Sequence, residues 1–225
     1  MSAATVVLLH GLAASPSSTW REAGWLDLLA DVGRTVLTPE LPGHGSRSLV
    51  PGEPVEPVGD LLAALPDDGA PVVAIGFSMG ARTILGAAIE SPERFERIVL
   101  SGIGERLLVP DDAGRSIAEA IESGDPSHPI GRYFLDHAAR SGTDPAAVAA
   151  MLRHEWAPLT DERMARASMP ALVVVGDQDL AAGDPAPLAD ALPDGRAVVL
   201  KGVDHFSTPK NFGFLDAALE FIGAV

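Results

Sequence analysis

Val72-Val73-Ala74-Ile75-Gly76-Phe77-Ser78-Met79-Gly80-Ala81-Arg82 reads as a strand that runs into Gly-x-Ser-x-Gly and then into a helical pattern. A serine in that setting occupies a sharp turn with strained backbone, and glycines two residues to either side let strand and helix approach closely. The five-residue pattern alone is weak, with about 0.15 matches expected by chance at this Gly and Ser content. The strand before it and the helix after it supply the context the pattern needs. The alternative is a glycine-rich βαβ turn with an incidental serine. A dinucleotide fingerprint, G-x-G-x-x-G, is not matched here.

Outward from this stretch, residues 6–9, 35–37, 98–100, 172–175 and 197–200 repeat the same short, β-branched, apolar character as 72–75. Unbroken apolar runs mark strands buried on both faces, as in a parallel sheet covered by helices. Helical patterns over 20–31, 58–65, 81–91, 188–192 and 214–222 alternate with them, which predicts an α/β fold with right-handed crossovers. The alternation breaks once, where helical stretches 113–122, 130–141, 145–156 and 161–167 follow one another without a strand. The economical division is a core of residues 1–102 and 169–225 with a helical insertion over 103–168. Within the insertion Asp144 before Pro145 forms a good N-cap and first-turn pair.

The length of 225 residues, roughly 1.5 average domains, suits one large domain or a domain with an insertion. With 47% hydrophobic and 21% charged residues the composition is globular, and no apolar run is long enough to span a bilayer. Sixteen Lys and Arg face 31 Asp and Glu, and the net charge of -15 repels phosphate backbones and anionic lipid, so neither nucleic acid nor membrane is an expected partner. The absence of cysteine excludes disulfides, thiolate metal sites and a cysteine nucleophile. The first residues lack a basic segment and a long apolar run, so a cytoplasmic location is expected.

A serine nucleophile requires a histidine base and a carboxylate that orients it. Of the histidines, His205 leaves the last strand at the carboxyl end of the sheet, where such folds place their ligands. His10 precedes a glycine at the end of the first strand, His44 lies in the turn Pro42-Gly43-His44-Gly45, and His128, His137 and His154 lie in the insertion. The carboxylate should leave the preceding strand, and Gly176-Asp177-Gln178-Asp179 offers two candidates there. Asp179 is favoured, since an Asp directly after a strand, as Asp177 is, commonly holds the turn itself. Asp204 adjoins the histidine in sequence, and neighbouring side chains rarely face each other well enough.

At this point the chain resembles the α/β-hydrolase superfamily through GFSMG as nucleophile elbow, His10-Gly11 after the first strand, LPGHG after the second, GDQD after the penultimate and DHF after the last. The chain order Ser78, Asp179, His205 matches that superfamily's order of nucleophile, acid and base. The resemblance implies a trimmed form of the fold, a mostly parallel sheet of about six strands with helices on both faces, because the superfamily's leading hairpin has no counterpart. It also implies a small helical cap where the insertion falls. Glu40-Leu41 departs from the more usual Asp before Pro-Gly-His-Gly, at a turn whose role is mainly structural. By the same resemblance the backbone N–H groups of Leu12 and Met79 form the oxyanion hole.

Phe77 beside the elbow, Phe206 beside the base, and Phe134 and Trp156 on the insertion are candidate linings of an acyl pocket, although aromatics at helical spacing are more often plain core. The reading is a serine esterase acting on a small, largely apolar acyl compound, with no cofactor and no metal implied. Thioester, carbon–carbon bond hydrolysis or lyase chemistry uses the same three residues in related families, and a hydrolase-fold binding protein with little turnover is the alternative of another class. A monomer and a homodimer are both compatible with the sequence.

Overall fold

Alternate side chains of the inner strands divide between two apolar layers, which is why those strands read as unbroken hydrophobic runs. The run at 197–200 differs, because it forms an edge strand on which Ala197 and Val199 are exposed and Leu200 alone is buried. The computed structural model describes residues 4–49, 54–109 and 113–224. Its strands are β1 (Val6–Leu9), β2 (Val36–Leu37), β3 (Val72–Phe77), β4 (Phe95–Ser101), β5 (Ala171–Gly176) and β6 (Gly195–Leu200). They form one sheet in the order β2-β1-β3-β4-β5-β6, and every neighbouring pair is parallel.

On one face Val7, Leu9, Ala74, Ile98, Leu100, Val173 and Val175 pack with α2 (Pro57–Ala64), α3 (Met79–Glu90) and α8 (Ala186–Asp190). On the other, Val6, Leu8, Val73, Ile75, Val99 and Val174 meet α1 (Trp25–Asp31) and α9 (Phe212–Phe221), with Trp20, Trp25 and Phe214 among the largest fully buried side chains. Both sides of the sheet are therefore covered, as the apolar runs require.

Between β4 and β5 come α4 (Ala113–Ser123), α5 (Pro129–Ser141), α6 (Pro145–Arg153) and α7 (Asp161–Met164), with no strand among the described residues. Ala118, Ile121, Ala138, Val148 and Met151 of these helices join the apolar layer on the α3 side of the sheet. Asp144 caps α6, with the Ala146 N–H donating to its Oδ1 at 2.9 Å.

Several boundaries differ from the sequence pattern. The helix predicted from residue 20 is split, because Gly24 at φ 81° turns the chain between a π-helical turn at Ser17–Arg21 and α1. The helix predicted to reach 156 stops at Arg153, where His154 is extended, so Trp156 lies beyond α6. The last helix of this region ends at Met164, short of 167. β4 begins at Phe95, earlier than its apolar run, because Glu96 points to solvent.

Candidate active site

Ser78 separates β3 from α3 with φ 53° and ψ -115°, a conformation rare for a residue with a side chain. Close packing enforces it. A Cβ on Gly76 would come within 2.6 Å of the Ala81 backbone, and one on Gly80 would collide with the carbonyl oxygens of Leu9 and His10. The turn is thereby pressed against the end of β1. The Ser78 N–H donates to the Ser101 carbonyl at 2.8 Å, tying the same turn to β4.

His205 arrives from the loop after β6. The Ser78 hydroxyl reaches its Nε2 at 3.1 Å, and its Nδ1 lies 2.7 Å from Asp179 Oδ2. With Nδ1–H donating to the carboxylate, Nε2 is left as the acceptor facing the serine. The Asp179 side chain is fully shielded from solvent, and its other oxygen accepts from the Ala181 N–H at 3.0 Å and the Ala182 N–H at 2.9 Å. These two donors fix the carboxylate so that only Oδ2 faces the imidazole.

The other two carboxylates are used differently. Asp177 accepts from the Gly202 N–H at 2.7 Å, so it braces the exit of the next strand. Asp204 turns away from the imidazole and accepts from the Ser207 N–H at 2.8 Å; Ser207 holds its carboxyl below the usual range.

At the end of β1, Ala13 also takes a positive φ of 56°. The Leu12 and Met79 N–H groups have no acceptor among the described residues, and the approach of Gly80 to Leu9 and His10 brings their two segments together. The loop carrying Leu12 is held by residues whose part in it the sequence did not reveal. His44 Nε2 accepts from the Ala13 N–H at 2.9 Å, and His10 Nε2 accepts from the Leu41 N–H at 3.2 Å, so each histidine braces the other's loop. Their Nδ1 atoms donate to the carbonyls of Pro42 and Gly11. Both rings are fully buried, 5.3 Å apart. Burial, reinforced by His44, pulls the pKa of His10 down to about 3, and burial lowers that of His44 as well. From α5, the Ser141 hydroxyl donates to the Ala13 carbonyl at 2.7 Å. Glu40 accepts from the Ser46 N–H at 2.9 Å and from its hydroxyl at 2.6 Å, closing the Pro-Gly-His-Gly turn.

The four aromatic candidates fall into different places. Phe77 is buried with its ring 4.9 Å from that of His205 and passes so close to Gly11 and Gly102 that neither has room for a Cβ. Phe206, 54% exposed, stands perpendicular to His205 and meets Tyr133 of α5 at 4.5 Å. Phe134 is half-buried against Tyr133 and the apolar layer beneath. Trp156 is elsewhere, beside His154 and under the Arg82 guanidinium. Among the described residues no three His, Asp or Glu side chains gather as a metal site, and no helix is long and apolar enough to cross a membrane.

The sequence profile of the alpha/beta hydrolase family matches residues 6–221. Among solved structures, a bromoperoxidase from Bacillus anthracis superposes with a TM-score of 0.77 at 22% identity, over 99% of this chain and 92% of its own. The 2-hydroxy-6-oxo-6-phenylhexa-2,4-dienoate hydrolase of Rhodococcus sp. strain RHA1 gives 0.75 at 20% identity over 99% and 91%. A thermophilic esterase from Thermogutta terrifontis gives 0.72 at 22% identity over 97% and 89%. At these identities the likeness is one of fold.

Proposed function

The chain belongs to the alpha/beta hydrolase family, and on that premise we propose that it is a serine esterase of a small, largely apolar acyl compound. The observation that carries the reading is the relay from Ser78 Oγ through His205 to the buried Asp179 carboxylate, at 3.1 and 2.7 Å, on a turn with φ 53°. In the reaction Ser78 attacks the carbonyl while His205 Nε2 takes the hydroxyl proton and returns it to the leaving alcohol. Asp179 holds the proton on Nδ1 and stabilises the imidazolium. Water then attacks the acyl-enzyme by the same route, with His205 as its base.

The negative oxygen of each tetrahedral intermediate rests on the N–H groups of Leu12 and Met79. Their lack of internal acceptors supports that role, and one such donor contributes about 10²–10³ in turnover in other enzymes. Residues 103–168 act as a cap over a core of 1–102 and 169–225, a reading supported by the contact of Tyr133 with Phe206 beside the base. Phe77, Phe206 and Phe134 give the acyl site its apolar character. A relative named as an esterase and another named as a hydrolase of a dienoate share the fold, so a panel of esters, thioesters and diketones is the measurement that fixes the bond cleaved.

The decisive test pairs labelling with turnover. A fluorophosphonate should label the wild-type protein and not Ser78→Ala, and the panel should include an ester hydrolysed catalytically by the wild type alone. Labelling without sustained turnover on any ester would favour a binding protein. Undiminished hydrolysis by folded Ser78→Ala would sink the mechanism.

A further inference from the structure

A cavity of about 160 Å³ opens between α2, α3 and the stretch after α6, and neither Ser78 nor His205 lines it among the described residues. Its walls are aliphatic at Val58, Leu85 and Leu159, with the Trp156 ring beside them. Gly86, in the middle of α3, keeps that space clear, since a Cβ there would come within 2.8 Å of Val58 Cγ2. One part of the lining is cationic. The Arg82 guanidinium lies 4.5 Å over the Trp156 ring and makes no hydrogen bond or ion pair among the described residues. Arg163 Nε is shielded from solvent and also lacks a partner.

Burial lowers the Arg82 pKa to about 10, which still leaves it charged at neutral pH. Glu56, Glu90 and Glu155 also line the cavity, but on exposed residues at its rim, and none forms an ion pair with either arginine among the described residues. His154 is held below its usual pKa by burial, so it adds little positive charge. Two guanidinium groups without acceptors among the described residues, that of Arg163 with its Nε shielded from solvent, stand beside an aliphatic and aromatic wall, an arrangement that suits an anion with an apolar body.

We propose that this cavity binds a small monocarboxylate with a short aliphatic or aromatic body, its carboxylate against Arg82 and Arg163 and its body against Trp156. The volume suits a single ring, since a cavity of roughly 150 Å³ holds benzene. The three acids nearby disfavour a ligand with a second negative charge. The site goes beyond the esterase reading and does not depend on Ser78.

Benzoate and hexanoate are the probes, titrated calorimetrically and by tryptophan fluorescence into wild type, Ser78→Ala, Arg82→Gln and Arg163→Gln, with thermal unfolding as the check on folding. Wild type and Ser78→Ala should bind at least one acid saturably in the millimolar range or tighter, and benzyl alcohol should not compete. Either arginine substitution should weaken binding by about tenfold or more. Trp156→Phe should remove the fluorescence change and keep calorimetric binding. Absence of saturable binding to wild type at about 10 mM, or equal affinity in both arginine variants, overturns the proposal. So does loss of binding in Ser78→Ala, which would move the ligand to the catalytic serine. The labelling experiment on Ser78 fails or succeeds independently of all these outcomes.

Discussion

At the elbow, Gly80 abuts the carbonyls of Leu9 and His10, and two fully buried histidines tie the neighbouring loops together. The helices between β4 and β5 are joined differently, through the buried side chains of Ala118, Ile121, Ala138, Val148 and Met151, a ring contact from Tyr133 to Phe206 and one hydroxyl at Ser141. The first region has backbone against backbone, where a single methyl does not fit. The second has side chain against side chain, where bulk can change and neighbours can adjust. In the proposed reaction the fixed donors fall in the first setting, and selection among acyl chains is left to the second.

The largest test of this contrast is within the rigid region itself. Asp179→Asn should lower kcat by about 10⁴ at unchanged folded fraction, because the imidazole loses the partner that sets its tautomer. Asp177→Asn keeps an oxygen that can accept from the Gly202 N–H and loses only the charge, so it should shift stability by at most about 1 kcal/mol with kcat nearly preserved. The reverse ranking would assign the acid to the wrong carboxylate.

A smaller effect is expected one layer further out. His44→Ala strands the buried Ala13 N–H next to Leu12, and kcat should fall by about 10², with KM little changed, if that loop supplies an oxyanion donor. The paired His10 gives the same region an acid limit. Its pKa of about 3 in the fold lies below 6.5, the ordinary value, so the unfolded chain takes up a proton that the fold refuses. Its stabilising contribution is complete above pH 6.5 and is lost as pH falls towards 3, at about 1.4 kcal/mol per unit. Urea unfolding at pH 7 and pH 5 should show that slope flattened in His10→Gln.

The smallest effect belongs to the adaptable region. Phe134→Ala should change the ratio of kcat/KM between acyl chains differing by one methylene by roughly tenfold, with fluorophosphonate labelling intact. A uniform loss across all chain lengths would mean that Phe134 only supports the fold.

The contrast also explains what could be read in advance. Strands buried on both faces leave an unmistakable apolar signature, and the positions at their exits placed Ser78, Asp179 and His205 on loops at one end of the sheet. Three properties of the site were not written in any local pattern. His10 and His44 stand in motifs that carry the family resemblance, yet their mutual bracing is not legible there, because which loop each holds depends on how two strand exits lean together. Ser141 was one hydroxyl at a helix end. Trp156 carried the helical spacing of 145–156, yet α6 stops at Arg153 just ahead of Pro158, and the ring turns to Arg82 instead of joining Phe206. Gly24 likewise broke a helix that apolar spacing had joined, by taking a left-handed conformation.

The bond from Ser141 to the Ala13 carbonyl bears on any attempt to transplant the helical region between relatives. A cassette cut at residues 103 and 168 carries away a latch on the loop that bears Leu12, although nothing in the cassette's own packing reveals it. A graft without a hydroxyl at that place would fold and still slow the reaction on every substrate, a fault easily mistaken for poor substrate fit. Restoring one serine at the end of the corresponding helix is then the first repair to make.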